Sequence, residues 1–251
     1  MLEKAIEKFK EYTSNYDMSI MEISLKYHHS FAVMDLMGEL AFRLDLDKEK
    51  IELARVIGLL HDIGRFEQFT KYHELNDSKS DHADESIIYL FDSGHIRDFI
   101  DEVKYDNVIK TAIKYHNKLE TPNDIVDKDE LLFTKMIRDM DKVDIYKQIS
   151  VHYDYKFNAD EVTGEILELF KNEECIPNNL STNSSIKVIK ILSFIFDMNF
   201  NESFDILVSS DNFDLFLSTV EVDSNSEKLW KKIRELCFDK INRGIGDNNE
   251  L

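Results

Sequence analysis

Apolar side chains recur every three to four residues along almost the whole chain of 251 residues, which is the spacing of one face of an α-helix. The pattern predicts helices over residues 2–13, 18–44, 48–64, 81–92, 95–102, 105–118, 129–149, 160–172, 184–199, 202–208, 211–219 and 225–242. Turn-dense β folds need many glycines and prolines, and this chain has only 7 glycines and 2 prolines. The sequence therefore predicts an all-α fold.

Polar segments interrupt this pattern and divide the chain. Residues 69–79 and 119–130 are predicted loops, because they are polar and contain turn-forming Asn, Asp or Pro. A weaker break lies at residues 172–185, "NEECIPNNLSTNSS". We take it as the boundary between a domain of residues 1–175 and a helical C-terminal extension of residues 176–251. We expect the extension to pack on the core or to form a homodimer contact.

Charge and composition exclude several classes of partner. Lys and Arg number 31 against 50 Asp and Glu, a net charge of −19, and such a surface repels nucleic-acid phosphates. The N-terminal segment lacks the apolar core of a signal peptide. The most apolar segment, residues 186–200, is interrupted by Lys187, Lys190 and Asp197 and is too short to span a bilayer. We expect a cytoplasmic protein without a nucleic-acid polymer or a membrane as partner.

The stretch "ARVIGLLHDIGRFEQF", residues 54–69, ends an apolar helix with two strong metal ligands, His61 and Asp62. Neighbouring residues on a helix point about 100° apart, so both can reach one ion only at the end of a helix, beside a cavity. Gly64 is interpreted as a C-cap glycine in the left-handed conformation. By itself the pair is weak evidence for a metal site, and a His–Asp couple that caps a helix is the favoured interpretation.

Further residues of the same type occur elsewhere in the chain. His28 and His29 lie near the start of a long helix, His82 lies at the first turn of another, and His116 lies near a helix end. Asp141 lies in an apolar helix, where a buried carboxylate is costly unless a cation meets it. A metal ion is a natural partner for these side chains.

At these residues the sequence resembles the HD-domain superfamily of metal-dependent phosphohydrolases, in the form of bacterial HD-domain proteins with an HDIG motif. The family pattern is a histidine, a later His-Asp pair and a later aspartate, which correspond to His29, His61, Asp62 and Asp141. "HSFAV" from His29 fits the family better than the sequence from His28. The likeness covers roughly residues 20–150 and implies an HD-type helical bundle with additional C-terminal helices.

The same resemblance implies a binuclear metal site, because His82 and His116 look like the two extra histidines of binuclear members. Asp62 would bridge the ions, with His29, His61 and Asp141 on one ion and His82 and His116 on the other. Imidazole and carboxylate together suit Mn, Fe, Co, Ni or Zn better than Ca, and Mg is also admitted.

Three residues near the His-Asp pair have two interpretations each. Arg65 either clamps a substrate phosphate or compensates the dipole at the C-terminus of a helix. Asp77 and Asp81 are each either the acceptor that orients His82 or a solvated loop or N-cap aspartate, and the latter is slightly favoured for Asp81.

The leading hypothesis is a phosphomonoesterase or phosphodiesterase that acts on a small phosphorylated metabolite or nucleotide, with Asp62 and Arg65 as catalytic residues. A di-iron oxygenase on the same fold is a second hypothesis, because the same six ligands would serve a di-iron pair. A third is a non-catalytic, metal-stabilised module that binds a nucleotide or a partner protein.

Overall fold

The computed structural model describes residues 1–152, 154–180 and 182–246, and the last five residues of the predicted extension lie outside the described residues. The chain divides into two compact units, Met1–Asp141 and Lys142–Leu251. The division falls inside one long helix, and the boundary that we expected after residue 175 lies within the second unit. The packing of a C-terminal extension on the core stays a prediction.

The first unit is built around a central helix. Its elements are α1 (Leu2–Thr13), α2 (Met21–Arg43), α3 (Lys48–Leu60), α4 (Gly64–Tyr72), α5 (His82–Ile87), α6 (Ile96–Phe99), α7 (Asp106–Tyr115) and the first part of α8 (Lys128–His152), with a π-helical turn at Ile88–Asp92 and a 3-10 turn at Val103–Tyr105. Helix α3 contacts α1, α2 and α7, and its second half is almost entirely buried. The residue that follows α3 therefore lies inside the bundle.

The second unit contains the rest of α8 and further short helices. They are α9 (Gly164–Lys171), α10 (Ser184–Ser193), α11 (Asn201–Ser209), α12 (Asn212–Thr219) and α13 (Glu227–Gly246), with 3-10 turns at Ala159–Glu161, Asn178–Leu180 and Phe194–Asp197. Strands β1 (Tyr155–Phe157) and β2 (Val220–Val222) form a parallel pair that the helical periodicity did not predict. Aromatic contacts such as Phe157 with Trp230 fill the core of this unit.

The predicted all-α fold is confirmed, with one correction beside the His-Asp pair. The helix predicted over residues 48–64 ends at Leu60, and α4 begins at Gly64 and covers part of the predicted loop 69–79. Gly64 is not a left-handed C-cap, since it has no positive φ. A Cβ at Gly64 would lie 2.5 Å from the backbone O of His82 and from the backbone N of Ser86. This glycine is needed for the close approach of α4 to α5.

Candidate metal centre

Two helices of the first unit end in the same way, each with a buried histidine. His61 follows the last residue of α3, and His116 follows the last residue of α7. Each ring donates its Nδ1–H to the carbonyl oxygen three residues earlier, that of Gly58 for His61 and that of Ile113 for His116, both at 2.7 Å. The carbonyl fixes the tautomer, so in the neutral imidazole Nε2 carries the lone pair, and in each ring this atom lies close to Nε2 of a second histidine.

His29 on α2 and Asp141 on α8 complete a group with His61. The Nε2 atom of His29 lies 3.0 Å from Oδ1 of Asp141 and 3.2 Å from Nε2 of His61. The Nε2 atom of His61 lies 3.6 Å from the same Asp141 oxygen. We call these three residues the His29 end of the cluster.

His82, the first residue of α5, forms a second group with His116. Their Nε2 atoms are 2.9 Å apart, and both rings are buried. We call these two histidines the His82 end.

The carboxylate of Asp62 faces both ends. Its Oδ2 lies 3.6 Å from Nε2 of His29 and 3.6 Å from Nε2 of His61, while its Oδ1 lies 3.1 Å from Nε2 of His82 and 3.6 Å from Nε2 of His116. The structure thus brings all six predicted ligands into one cluster, with five of them buried and Asp141 partly exposed, and groups of three ligand atoms lie within 4.8 Å of one another.

The residues of this cluster fit a bound cation. His61, His82 and His116 each use Nδ1–H on an acceptor outside the cluster, so their neutral rings turn lone pairs towards each other and towards carboxylate oxygens. The Oδ1 atom of Asp62 is buried and has no hydrogen-bond partner among the described residues. Such an arrangement of acceptors is repulsive unless a positive charge lies between them. The nitrogen and carboxylate donors suit a divalent transition metal.

The ionisation of these groups also suits metal binding. Burial raises the pKa of Asp62, but Lys26, His61 and His82 outweigh it and hold that pKa well below its usual range. Burial also raises the pKa of Asp141, but the neighbouring imidazoles of His29 and His61 outweigh it and hold that pKa well below its usual range. Burial, reinforced by His82 and His61, lowers the pKa of His116 to about 4. Carboxylates that stay charged and an imidazole that stays neutral are the forms that bind a metal.

Two cations lie beside Asp62, and the sequence analysis identified only one of them. The Nζ atom of Lys26 lies 2.7 Å from Oδ2, and the Nε atom of Arg65 lies 3.8 Å from Oδ1. Lys26 stands one helical turn before His29, so the i, i+3 spacing on α2 was the signal that could have found it.

Arg65 lies in the first turn of α4, so its interpretation as a cation at a helix C-terminus is wrong. Its guanidinium fork is paired with Asp77, with Nη1 at 2.8 Å from Oδ1 and Nη2 at 3.5 Å from Oδ2. A bidentate grip on a phosphate would require Arg65 to leave Asp77. Its role as a catalytic residue stays a prediction.

The two aspartates near His82 have different tasks. Asp77 accepts a hydrogen bond of 2.8 Å from Nδ1 of His82. Asp81 is the N-cap of α5, where it accepts from the backbone N–H groups of Ala83 and Asp84. Of the two interpretations for these residues, orientation of His82 therefore applies to Asp77 and the N-cap applies to Asp81.

The match with a known family covers this whole cluster. Residues 27–149 match the model of the HD domain, a stretch that runs from just before His29 to just beyond Asp141. The chain is an HD-domain protein. The resemblance seen in the sequence is thereby confirmed, while the matched stretch covers about half of the chain and leaves most of the second unit outside. No curated protein and no solved structure matches the chain.

The structure also bears on a membrane role. No helix in the described part of this HD-domain protein combines the length and the apolar character that crossing a bilayer requires.

Proposed function

We propose that this HD-domain protein is a metal-dependent phosphohydrolase that acts on a small phosphorylated metabolite or nucleotide. The observation that carries the proposal is the buried carboxylate of Asp62, whose two oxygens face two separate groups of imidazoles. Membership of the HD-domain family, which consists mostly of metal-dependent hydrolases, supports the same activity.

The donor set supports a centre for two divalent ions. His29, His61 and Asp141 would hold one ion, His82 and His116 would hold the other, and Asp62 would contact both. Mn, Fe, Co, Ni and Zn match these donors, and Mg is a weaker match. When bound, the ions would lower the pKa of a water molecule towards neutrality and clamp the attacking and leaving oxygens of a phosphoester.

The cations beside Asp62 would place the substrate. Lys26 has a side chain that is about one-sixth exposed, so its ammonium group can meet both Asp62 and a ligand that approaches from solvent. The Nε donor of Arg65 is buried and has no hydrogen-bond partner among the described residues. We therefore assign the main contact with the phosphate to Lys26, and a single hydrogen bond to Arg65 through Nε.

The test is phosphate release from a panel of nucleotides and sugar phosphates by protein that has been stripped of metal and reloaded with Mn, Co, Ni, Mg or Fe. We expect release that needs metal and that disappears in Asp62→Ala. Asp124→Ala is the matched control, because Asp124 is an exposed carboxylate in the loop after α7.

Three results would contradict the proposal. Full hydrolysis and full metal content in Asp62→Ala would show that the cluster is not the active centre. No release from metal-loaded protein, together with oxygen uptake by the iron form, would replace hydrolysis with the chemistry of a di-iron oxygenase. Metal binding without either activity would point to a binding module. A cytoplasmic location and a homodimer stay predictions.

A further inference from the structure

Gln68 is a buried polar residue that is not one of the six proposed metal ligands. It lies one turn into α4, its side chain is fully buried, and its hydrogen bonds go to residues other than the six proposed ligands. A buried amide is retained only if its hydrogen bonds are made, so the partners of Gln68 indicate what it does.

The amide of Gln68 joins α4 to the loop that carries Asp77. Its Oε1 accepts a bond of 2.7 Å from Nη1 of Arg65. Its Nε2 donates to Oδ1 of Asp77 at 3.1 Å, to the carbonyl oxygen of Ser80 at 2.6 Å and to that of Asn76 at 3.3 Å. The loop between α4 and α5 is thus fastened to α4 at three of its residues.

Asp77 is the point on which these bonds converge. One oxygen, Oδ1, accepts from Arg65, from Gln68 and from Nδ1 of His82. The carboxylate is itself about one-third exposed, so its position depends on these bonds and not on close packing. If the amide of Gln68 is removed, Arg65 loses one acceptor and the loop loses three hydrogen bonds to α4, so Asp77 is held against His82 less firmly, by Arg65 alone.

We propose that Gln68 is a positioning residue of the metal centre, which acts through Arg65 and Asp77 to fix the ring of His82. The proposal rests on the proposed function, because it requires His82 to be a metal ligand. It also gives the guanidinium fork of Arg65 a task other than a phosphate clamp. Partners that hydrogen-bond to a ligating histidine are worth about 10- to 100-fold in metal affinity.

The test is a titration of metal-free protein with Mn²⁺ or Co²⁺. Calorimetry measures the binding of either ion, and the absorption spectrum of bound Co²⁺ monitors the second titration. His29→Ala and His82→Ala first define which binding step belongs to which end. One of the two binding steps is the step that His82→Ala weakens. We expect Gln68→Met and Asp77→Asn each to lower the metal affinity of that step by about 10-fold and to change the affinity of the other step by less than about 2-fold. Gln68→Met should add little to Asp77→Asn, since both act through one chain of contacts.

Asp98→Asn is the matched control, because Asp98 makes the same carboxylate contact, of 2.9 Å, with the ring of His95 on the surface. Equal weakening of both steps, or no weakening of either, in both Gln68→Met and Asp77→Asn would overturn the proposal. Asp77→Asn keeps the test valid if Gln68→Met does not fold, because Asp77 is partly exposed. If His82→Ala itself leaves both steps intact, the two-metal centre fails as well, and the two failures are thereby distinguished.

Discussion

The two ends of the ligand cluster are held by different means. At the His29 end, the ligands project from two long helices, α2 and α8, and from the end of α3. At the His82 end, His116 is held like His61, by a carbonyl of its own helix, but His82 depends on Asp77, which lies on a loop. Helix packing therefore fixes the first end, whereas hydrogen bonds across a loop fix part of the second.

Each end also has its own cation, and the two cations are used differently. Lys26 meets the Asp62 oxygen that faces the His29 end, and Arg65 lies near the oxygen that faces the His82 end. Arg65 donates hydrogen bonds to Gln68 and to Asp77, and Asp77 accepts one from His82, so Arg65 supports the His82 end through Asp77. The ammonium group of Lys26 contacts Asp62 alone among the hydrogen bonds and ion pairs of the described residues, so Lys26 is the cation better placed to meet a substrate.

The largest expected effect comes from removing one helix-end histidine from each end. His61→Ala and His116→Ala delete rings that are fixed in the same way, so they form a matched pair. We expect each to weaken one of the two metal-binding steps by more than about 100-fold, since even the hydrogen-bond partners of ligands are worth about 10- to 100-fold. Calorimetric titration with Mn²⁺ measures both steps.

In that pair, loss of both steps in each variant would mean that the six ligands form one indivisible site. The distinction between the ends would then have no meaning for metal binding. Loss of different steps would support two ions with Asp62 between them.

Lys26→Met is expected to have the next largest effect, and to act on the substrate and not on the metal. A hydrogen bond to a charged group is worth about 1.5–3 kcal/mol, so we expect KM for a phosphorylated substrate, or Kd for inorganic phosphate, to rise about 10- to 100-fold. Lys26→Arg should recover part of this loss. An unchanged Kd for phosphate with weaker metal binding would instead make Lys26 a support of Asp62.

Acid should destabilise the metal-free protein through His116. Its pKa is lowered to about 4 in the fold from 6.5 in the unfolded chain, so the unfolded chain binds more protons between these values. Stability is then fully present above about pH 6.5 and falls as the pH drops towards 4, by at most about 3 kcal/mol. Urea unfolding at several pH values measures this slope, and His116→Gln should flatten it. A slope unchanged by His116→Gln would contradict the assignment.

The fold and the ligands could be predicted from the sequence because both depend on local patterns. The apolar spacing of the long helices is set by core packing, and the order of the His and Asp residues matches a known family. Helix α4 was missed because its residues, "GRFEQFTKY", are mostly polar, and its apolar positions follow no long stripe.

Lys26 and Gln68 were missed for a different reason. Lys26 meets Asp62 across 36 residues of sequence, and Gln68 meets a loop 8 to 12 residues further on. Both contacts arise only when helices pack and loops close, and apart from the i, i+3 spacing of Lys26 from His29 a single lysine or glutamine in a helix is an ordinary surface residue by composition. The metal ligands can therefore be predicted from the sequence, whereas the hydrogen bonds that support them can be identified only in the folded structure.

The smallest expected effects come from two glycines, one at each end of the cluster. A Cβ at Gly58 would lie 2.8 Å from the carbonyl oxygen of Val33 on α2, and a Cβ at Gly64 would lie 2.5 Å from the carbonyl oxygen of His82 on α5. In both cases the obstacle is backbone, so the helices must move apart. We expect Gly58→Ala and Gly64→Ala to lower the free energy of unfolding by about 1–3 kcal/mol, measured by urea denaturation.

Gly164→Ala is the control for these glycines, because a Cβ there meets nothing within 4 Å. It should leave stability unchanged or slightly raised. Since Gly58 holds α3 against the helix that carries His29, and Gly64 holds α4 against the helix that begins with His82, the two variants should also weaken different metal-binding steps. If Gly58→Ala and Gly64→Ala weaken the same step, the two ends move as one body, and the division between a helix-held end and a loop-held end is wrong.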